Sequence, residues 1–494
     1  MNYFIKFLKN NYLITFAISP LIFLILTFHN PYYSDDYQTI IGLKLFNLIQ
    51  QQSYFSFFDA FNLRSDGHLV PILYYINQFL PENEYLLHFL IVFSFYLSIL
   101  IFYKILLLLK LPNNQAIISC FIYSFFYIFT IKPLVWNVFH SHITNSLTGL
   151  VSIYFMMSFI SSKKILFLFF YLFFSILTVF NSESGLIFPV ISFFLILLFH
   201  RSKNIYLYLL ILLPNFLYFC FSYILSLKNN FPTIVESRIL NNTGDFFVFP
   251  DFDKGLKSLI LEYRSRKSPN NFFGYLIIFL DNILNFLNLT TYEYIFRYFK
   301  SSIFKIFTVI IFVINFILIS IYLIKFIIRK EIVKNKIFIN YFMLFLICLF
   351  IYSFLFHRKD ICIALALFSS VIYSFVFEYM KSKYSIKKSF LFIVVLLFPS
   401  FMYALTGFEE VYEMRSRTFI KEMHQVHYQN LNNSSINKKM IYYRDFVSLY
   451  CYKNFMQYKE NLMTFKHLSL YEFEIEFTKN VDINENICSY TKKK

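Results

Sequence analysis

The chain has 494 residues, of which 58% are hydrophobic, 23% aromatic and only 15% charged. One soluble core cannot bury that much apolar side chain, and it is gathered in runs long enough to span a bilayer, which excludes a soluble globular enzyme. The formal net charge of +17 would suit nucleic acid, but the lysines and arginines stand in short clusters between apolar runs, as in a polytopic membrane protein.

In chain order, windows of about 19 residues place spans near 12–29, 85–108, 115–131, 143–161, 165–180, 186–200, 205–226, 303–327, 337–356, 361–380 and 389–407. The first is too long for a signal peptide and lacks a small-residue cleavage site, so it reads as a retained anchor. The expected fold class is therefore an all-α integral membrane protein with about 11 transmembrane helices. An odd number of spans puts the termini on opposite sides. Lys6 and Lys9, Lys110, Lys163 and Lys164, Arg201 and Lys203, and the RKEIVKNK and KSKYSIKK linkers all fall on one face, which the positive-inside rule makes cytoplasmic. The natural setting is a bacterial inner membrane with the N-terminus inside.

Residues 1–407 form the transmembrane domain, with external loops 30–84 and 228–302. The tail 408–494 is expected to be a small extracytoplasmic region, opening as a helix and holding a strand in YEFEIEF. Two further apolar segments read as surface-lying helices. QTIIGLKLFNLIQ at 38–50 has helical spacing of its apolar residues, and the stretch 272–289 carries Asp281 and would reverse every later loop if it spanned. Cys120, Cys220, Cys348 and Cys362 lie in apolar runs as small hydrophobes; Cys451 and Cys488 are the pair that an oxidising compartment could bridge.

Three loops on the expected outer face carry chemistry. The first holds Asp35 and Asp36 just after the opening span, followed by Arg64 and by His68 in HLVPI. The second, KPLVWNVFHSH, holds Lys132, Trp136, His140 and His142. The third, NSESG, puts Glu183 at the mouth of a strongly apolar helix. An acid at the end of a span is costly unless it meets water, a cation or a substrate. Each feature also has an ordinary reading: an Asp pair after a helix is commonly a solvated turn, and Glu183 suits the positive end of a helix dipole.

The order of these segments resembles the GT-C superfamily, polytopic glycosyltransferases that use polyprenyl-phosphate-sugar donors. The resemblance rests on the Asp pair after the first span, HLVPI (68–72), the Trp and His loop, and ESGLIFP (183–189), and covers about the first 200 residues. Related members commonly carry Lys before the Glu and Arg before the first-loop Pro; here Ser182 and Val70 stand there, which leaves the phosphate-binding cation open. The resemblance implies transfer of a sugar from the lipid carrier to a glycan, lipid or protein acceptor on the outer face, with membrane lipid as surroundings and no nucleic acid.

Such chemistry needs a carboxylate to accept the acceptor's proton, which Asp35 or Asp36 can supply, and positive charge for the leaving phosphate. Candidates for that charge and for substrate binding are Arg64, His68, Lys132, Trp136, His140, Arg264, Arg266 and Lys267. Asp36 can also hold a divalent cation, Mg or Mn. Two alternatives stand beside this reading. A lipid-linked sugar flippase would use small-residue motifs, which eight glycines in the whole chain hardly provide. A polysaccharide polymerase or ligase would show Arg eleven positions before a Gly in the long loop, and no Gly here is so preceded.

Overall fold

In a computed structural model, residues 11–27, 84–126, 140–201, 204–229, 335–355, 363–384 and 388–398 are described, with isolated positions between 276 and 324. Among them no strand occurs. The helices, in chain order, are α1 (Tyr12–Thr27), α2 (Glu84–Leu108), α3 (Asn113–Ser124), α4 (His140–Ser162) and α5 (Ile165–Asn181). A 3₁₀ turn (Glu183–Leu186) then leads into α6 (Ile187–Leu195), which continues as a π turn (Ile196–His200) and is followed by α7 (Ile205–Asn229). α8 (Lys336–Leu355), α9 (Ile363–Lys383) and α10 (Lys388–Phe398) complete the described elements.

Four of these segments are long and apolar enough to cross a bilayer: His88–Leu108, His142–Ser162, Ile205–Leu225 and Ile363–Lys383. They answer to expected spans, as do the shorter apolar helices Tyr12–Ile25, Ile165–Asn181, Ser184–His200, Lys336–Tyr352 and Lys388–Phe398. The span expected at 115–131 differs. Its helix, α3, has 12 residues and closes at Ser124, where the Phe125 N–H turns back to the Ile122 carbonyl at 3.2 Å and the Phe126 N–H to the Tyr123 carbonyl at 3.1 Å. At 1.5 Å per residue that covers roughly 18 Å, less than a bilayer core. The span expected at 303–327, the surface helix at 38–50 and the tail 408–494 with its strand lie outside the described residues, apart from a few isolated helical positions in the first.

α9 occupies the centre. It is buried on all sides and carries small side chains, Ala364, Ala366, Ser369, Ser370 and Ser374, all fully buried, and it packs chiefly on α3 and α8. In lipid, where apolar burial between helices is weakly driven, such close backbone packing is what holds helices together. The serine hydroxyls would be unmet donors there, but each turns back on its own helix: Ser369 to the Leu365 carbonyl at 2.7 Å, Ser370 to Leu367 at 2.6 Å and Ser374 to Val371 at 2.7 Å. Around this centre α2 packs on α1 and α4, and α4 on α5. Phe95 and Phe102 of α2 hold the ring of Tyr123 between them, each with centroids 5.7 Å apart.

The outer helices face lipid. Along α5, Ile165, Phe169 and Phe173 recur at four-residue spacing and are exposed, whereas Tyr171 is buried and donates its hydroxyl to the Ile211 carbonyl at 2.8 Å. That carbonyl belongs to the turn of α7 just before Pro214, which lacks an N–H and loosens the local ladder. Similarly, Asn340 of α8 donates to the Leu198 carbonyl in the π turn at 3.0 Å.

Three helices close on a non-glycine residue in the left-handed region: Lys110 with φ 62°, Lys163 with φ 59° and Arg201 with φ 47°. After α2, the Lys110 and Leu111 N–H groups bond the Leu107 and Leu106 carbonyls, each at 3.0 Å, a Schellman closure. A side chain in this conformation costs about 1–2 kcal/mol that glycine would not. A basic residue offsets part of that cost by facing the negative end of the helix dipole. Every lysine or arginine whose side chain is described lies at or within about a turn of this end of the bundle. It holds the ends of α2, α4, α6 and α9 and the starts of α3, α5, α7, α8 and α10.

Candidate functional site

At the opposite end the chain builds a polar seam from α4, α5 and the Glu183–Leu186 turn. Ser182 starts the turn: its backbone is extended and its hydroxyl accepts the Ser184 N–H at 3.3 Å, an N-cap that allows the chain to reverse from α5 into α6. Gly185 is required by proximity. A Cβ there would lie 2.1 Å from the Thr178 carbonyl oxygen, so the turn can sit on α5 only with no side chain at 185. A second close approach stands below it, where a Cβ on Gly149 would meet the Phe188 ring at 2.2 Å.

Ser184 is buried and sits at the crossing of the network. His142 Nδ1 is 3.1 Å from its hydroxyl, the Asn145 side-chain amide donates to it at 3.1 Å, and the Ser182 hydroxyl lies at 2.9 Å. Asn145 also donates to the Ser182 carbonyl at 3.4 Å, and its own oxygen accepts from Asn181. Asn181 in turn reaches Thr144 at 3.4 Å. Deeper in, Thr178 donates to Thr148 at 2.7 Å, and Thr148 to the Thr144 carbonyl at 2.9 Å. From the third side Asn215, next to the Pro214 kink, donates to the Leu186 carbonyl at 3.0 Å.

With Asn145 as donor, the Ser184 hydroxyl has one hydrogen to give, to His142 Nδ1 or to Ser182. Neutral and protonated His142 can therefore both be accommodated, since Ser184 can accept from a protonated ring and donate to Ser182. Burying polar groups at the mouth of apolar helices is costly unless they are hydrogen-bonded, and the bonds of this network hold the backbone on both sides of Glu183.

Of the residues singled out in the sequence, the seam brings two segments together: the end of the Trp and His loop, through His142, and the ESG turn. Glu183 opens the 3₁₀ turn and His140 the first turn of α4; the placement of their side chains lies outside the described residues. Asp35, Asp36, Arg64, His68, Lys132, Trp136, Arg264, Arg266 and Lys267 also lie outside them. Among the described residues no group of three His, Cys, Asp or Glu is gathered that could hold a metal ion. Sequence reading missed Asn145, Asn181 and Ser184. Their signal was present as a polar stripe on α4, His142, Asn145, Thr148 and Ser152, at spacings of three and four in an otherwise apolar helix.

No protein family and no curated protein matches the sequence. Among solved structures the chain is similar to the crystal structure of the Archaeoglobus fulgidus oligosaccharyltransferase in the apo form, with a TM-score of 0.42 and 12% identity, covering 90% of this chain. The chain spans 62% of that protein's length. A likeness of this degree assigns neither family nor activity.

Proposed function

We propose that the chain is an integral-membrane glycosyltransferase of GT-C type, transferring a sugar from a polyprenyl-phosphate carrier to a glycan, lipid or protein acceptor. The site lies at the end of the bundle opposite the lysines and arginines, on the extracytoplasmic face. The observation that carries this reading is the contact between His142 and Ser184: two of the segments that gave the resemblance, far apart in sequence, meet at one bundle end and hold the Glu183 turn.

The reaction forms a bond from the acceptor hydroxyl oxygen to the anomeric carbon and breaks the bond from that carbon to the phosphate oxygen. The acceptor's proton goes to Asp35 or Asp36, and the carrier leaves as the polyprenyl phosphate. Adjacent carboxylates titrate as a pair, so one can be ionised as base while its neighbour orients it. The phosphate leaves against positive charge from Arg64, His68, Lys132, or Arg264, Arg266 and Lys267. Trp136 and His140 are the further residues proposed to bind substrate. Where Mg or Mn takes part, Asp36 is the residue proposed to hold it, and the ion would supply further positive charge to the leaving phosphate.

The test is transfer from a polyprenyl-phosphate-sugar by the purified full chain and its Asp35→Asn, Asp36→Asn and double variants. The variant lacking the base should lose on the order of 100-fold or more in rate with unchanged thermal stability. Wild-type transfer by the double variant would remove the Asp pair from the mechanism.

A further inference from the structure

The basic end of the bundle has its own built feature, separate from the proposed transfer site. Lys110, Lys163 and Arg201 close α2, α4 and α6, and all three hold the left-handed conformation that glycine would take without strain. They also stand on neighbouring elements: α4 packs on both α2 and α6, and Leu109, next to Lys110, lines one small cavity with Ile153 of α4 and Leu195 of α6. His200 and Arg201 stand there because the helix ends in a π turn, with the Arg201 N–H on the Ile196 carbonyl at 2.8 Å. π turns inside helices recur at functional positions.

Among the described residues no ion pair involves Lys110, Lys163 or Arg201; the pair at this end of the bundle, Lys381 with Glu378 at 3.1 Å, lies within α9. The partial negative charge of three helix ends offsets only about half of three full positive charges. Within four residues of Lys163 or Arg201 in the chain, Ile165 and Leu166 of α5, Leu197 in the π turn and Ile205 of α7 are exposed apolar side chains. Among the described residues this surface therefore combines cations that no acid pairs with, an imidazole and exposed apolar side chains, the two-part chemistry of an anionic phospholipid.

We propose that Lys110, Lys163, His200 and Arg201 form one headgroup site for an anionic phospholipid, the phosphodiester on the cations and the acyl chains along the wall formed by α5, the π turn and α7. The lipid holds the ends of α2, α4 and α6 together where the three cations would otherwise repel one another.

Native mass spectrometry of the delipidated full chain, titrated with phosphatidylglycerol and with phosphatidylcholine, tests this. The wild type should retain one phosphatidylglycerol at least tenfold more tightly than phosphatidylcholine. The Lys110→Gly, Lys163→Gly, Arg201→Gly triple variant keeps the backbone conformation without its strain. It should melt no lower than wild type, yet bind phosphatidylglycerol on the order of 100-fold more weakly, about one near-surface cation's worth at each position. If that variant does not accumulate, the triple Asn variant, also at ease in the left-handed region, replaces it. A control neutralising Lys336, Lys381 and Lys388 to Gln, on the same face but outside the cluster, should leave the affinity as it is.

Equal retention of the two lipids would overturn the proposal. So would phosphatidylglycerol binding that survives the triple Gly change, because the residues would then be helix caps alone. Equal loss in the control would assign the effect to diffuse surface charge, and full displacement by millimolar inorganic phosphate would make this a phosphate site and not a lipid site; each overturns it. None of these outcomes bears on transfer by the Asp variants.

Discussion

His142 Nδ1 lies 3.1 Å from the hydroxyl of Ser184, joining the first turn of α4 to the turn that carries Glu183 across 42 residues of sequence. The contact adds to the Asn145 bonds that already join α4 to this turn, and the hydroxyl's position at the crossing of the network lets His142 contribute to the orientation of the Glu183 turn.

Replacing His142 by Ala should therefore lower sugar transfer by on the order of 10- to 100-fold, as a positioning loss, while thermal stability in detergent changes little. His142→Asn, which keeps an acceptor near Ser184, should restore part of the rate. Steady-state kinetics on both variants decides it: equal rates for the two would show that the imidazole does not act through Ser184.

Asn145 serves three partners, and its loss takes the near acceptor from the buried Asn181 amide, leaving it Thr144 at 3.4 Å, and one donor each from Ser184 and the Ser182 carbonyl. Asn145→Ala should destabilise the chain by about 1–3 kcal/mol, the usual range for leaving a buried polar group unmet. Asn145→Asp supplies no amide donor and should be at least as damaging. Thermal unfolding of the detergent-solubilised protein gives the comparison.

Gly185→Ala puts a methyl group 2.1 Å from a backbone oxygen that has no rotamer to escape into. The turn must move, and a loss of about 1–3 kcal/mol in stability with a drop in transfer is expected. Gly149→Ala meets a side chain instead, the Phe188 ring at 2.2 Å. Its cost should fall when Phe188 is also changed to Leu, whereas Gly185→Ala should be indifferent to that second change. A double-mutant cycle on melting temperatures reads both.

Sidedness is open to a direct reporter. A fusion after Gly407 should be active only on the outer face, and one within RKEIVKNK only on the cytoplasmic face. Reporters on the same side would remove the eleven-span topology and would move the transfer site relative to the basic end.

Tyr171→Phe removes the hydrogen bond to the Ile211 carbonyl beside Pro214. In a membrane helix pair this should cost about 0.6 kcal/mol, a shift in melting temperature small beside that of Asn145→Ala.

The sequence by itself determined the class of protein and most of the helices, because a bilayer leaves the chain one solution for its backbone: a run of about 20 apolar residues must satisfy its own hydrogen bonds as a helix. The ends of those helices were legible for the same reason, since lysines and arginines collect where the chain leaves lipid. Helix α3 closes its cap at Ser124, inside the apolar run read as a span to 131, because apolar composition continues past that point. Composition is silent about where a carbonyl finds its last donor.

Tertiary structure alone decided which polar residues meet. Glu183 and His142 stood out as charged or titratable, but Asn145, Asn181 and Ser184 looked like minor interruptions of apolar helices. They became a site only when Gly185 let the turn settle on Thr178 and brought α4 within hydrogen-bonding reach. The convergence of Lys110, Lys163 and Arg201 was equally hidden. Each is an ordinary flanking cation in sequence, and their shared left-handed closure at one end of neighbouring helices shows only in the fold.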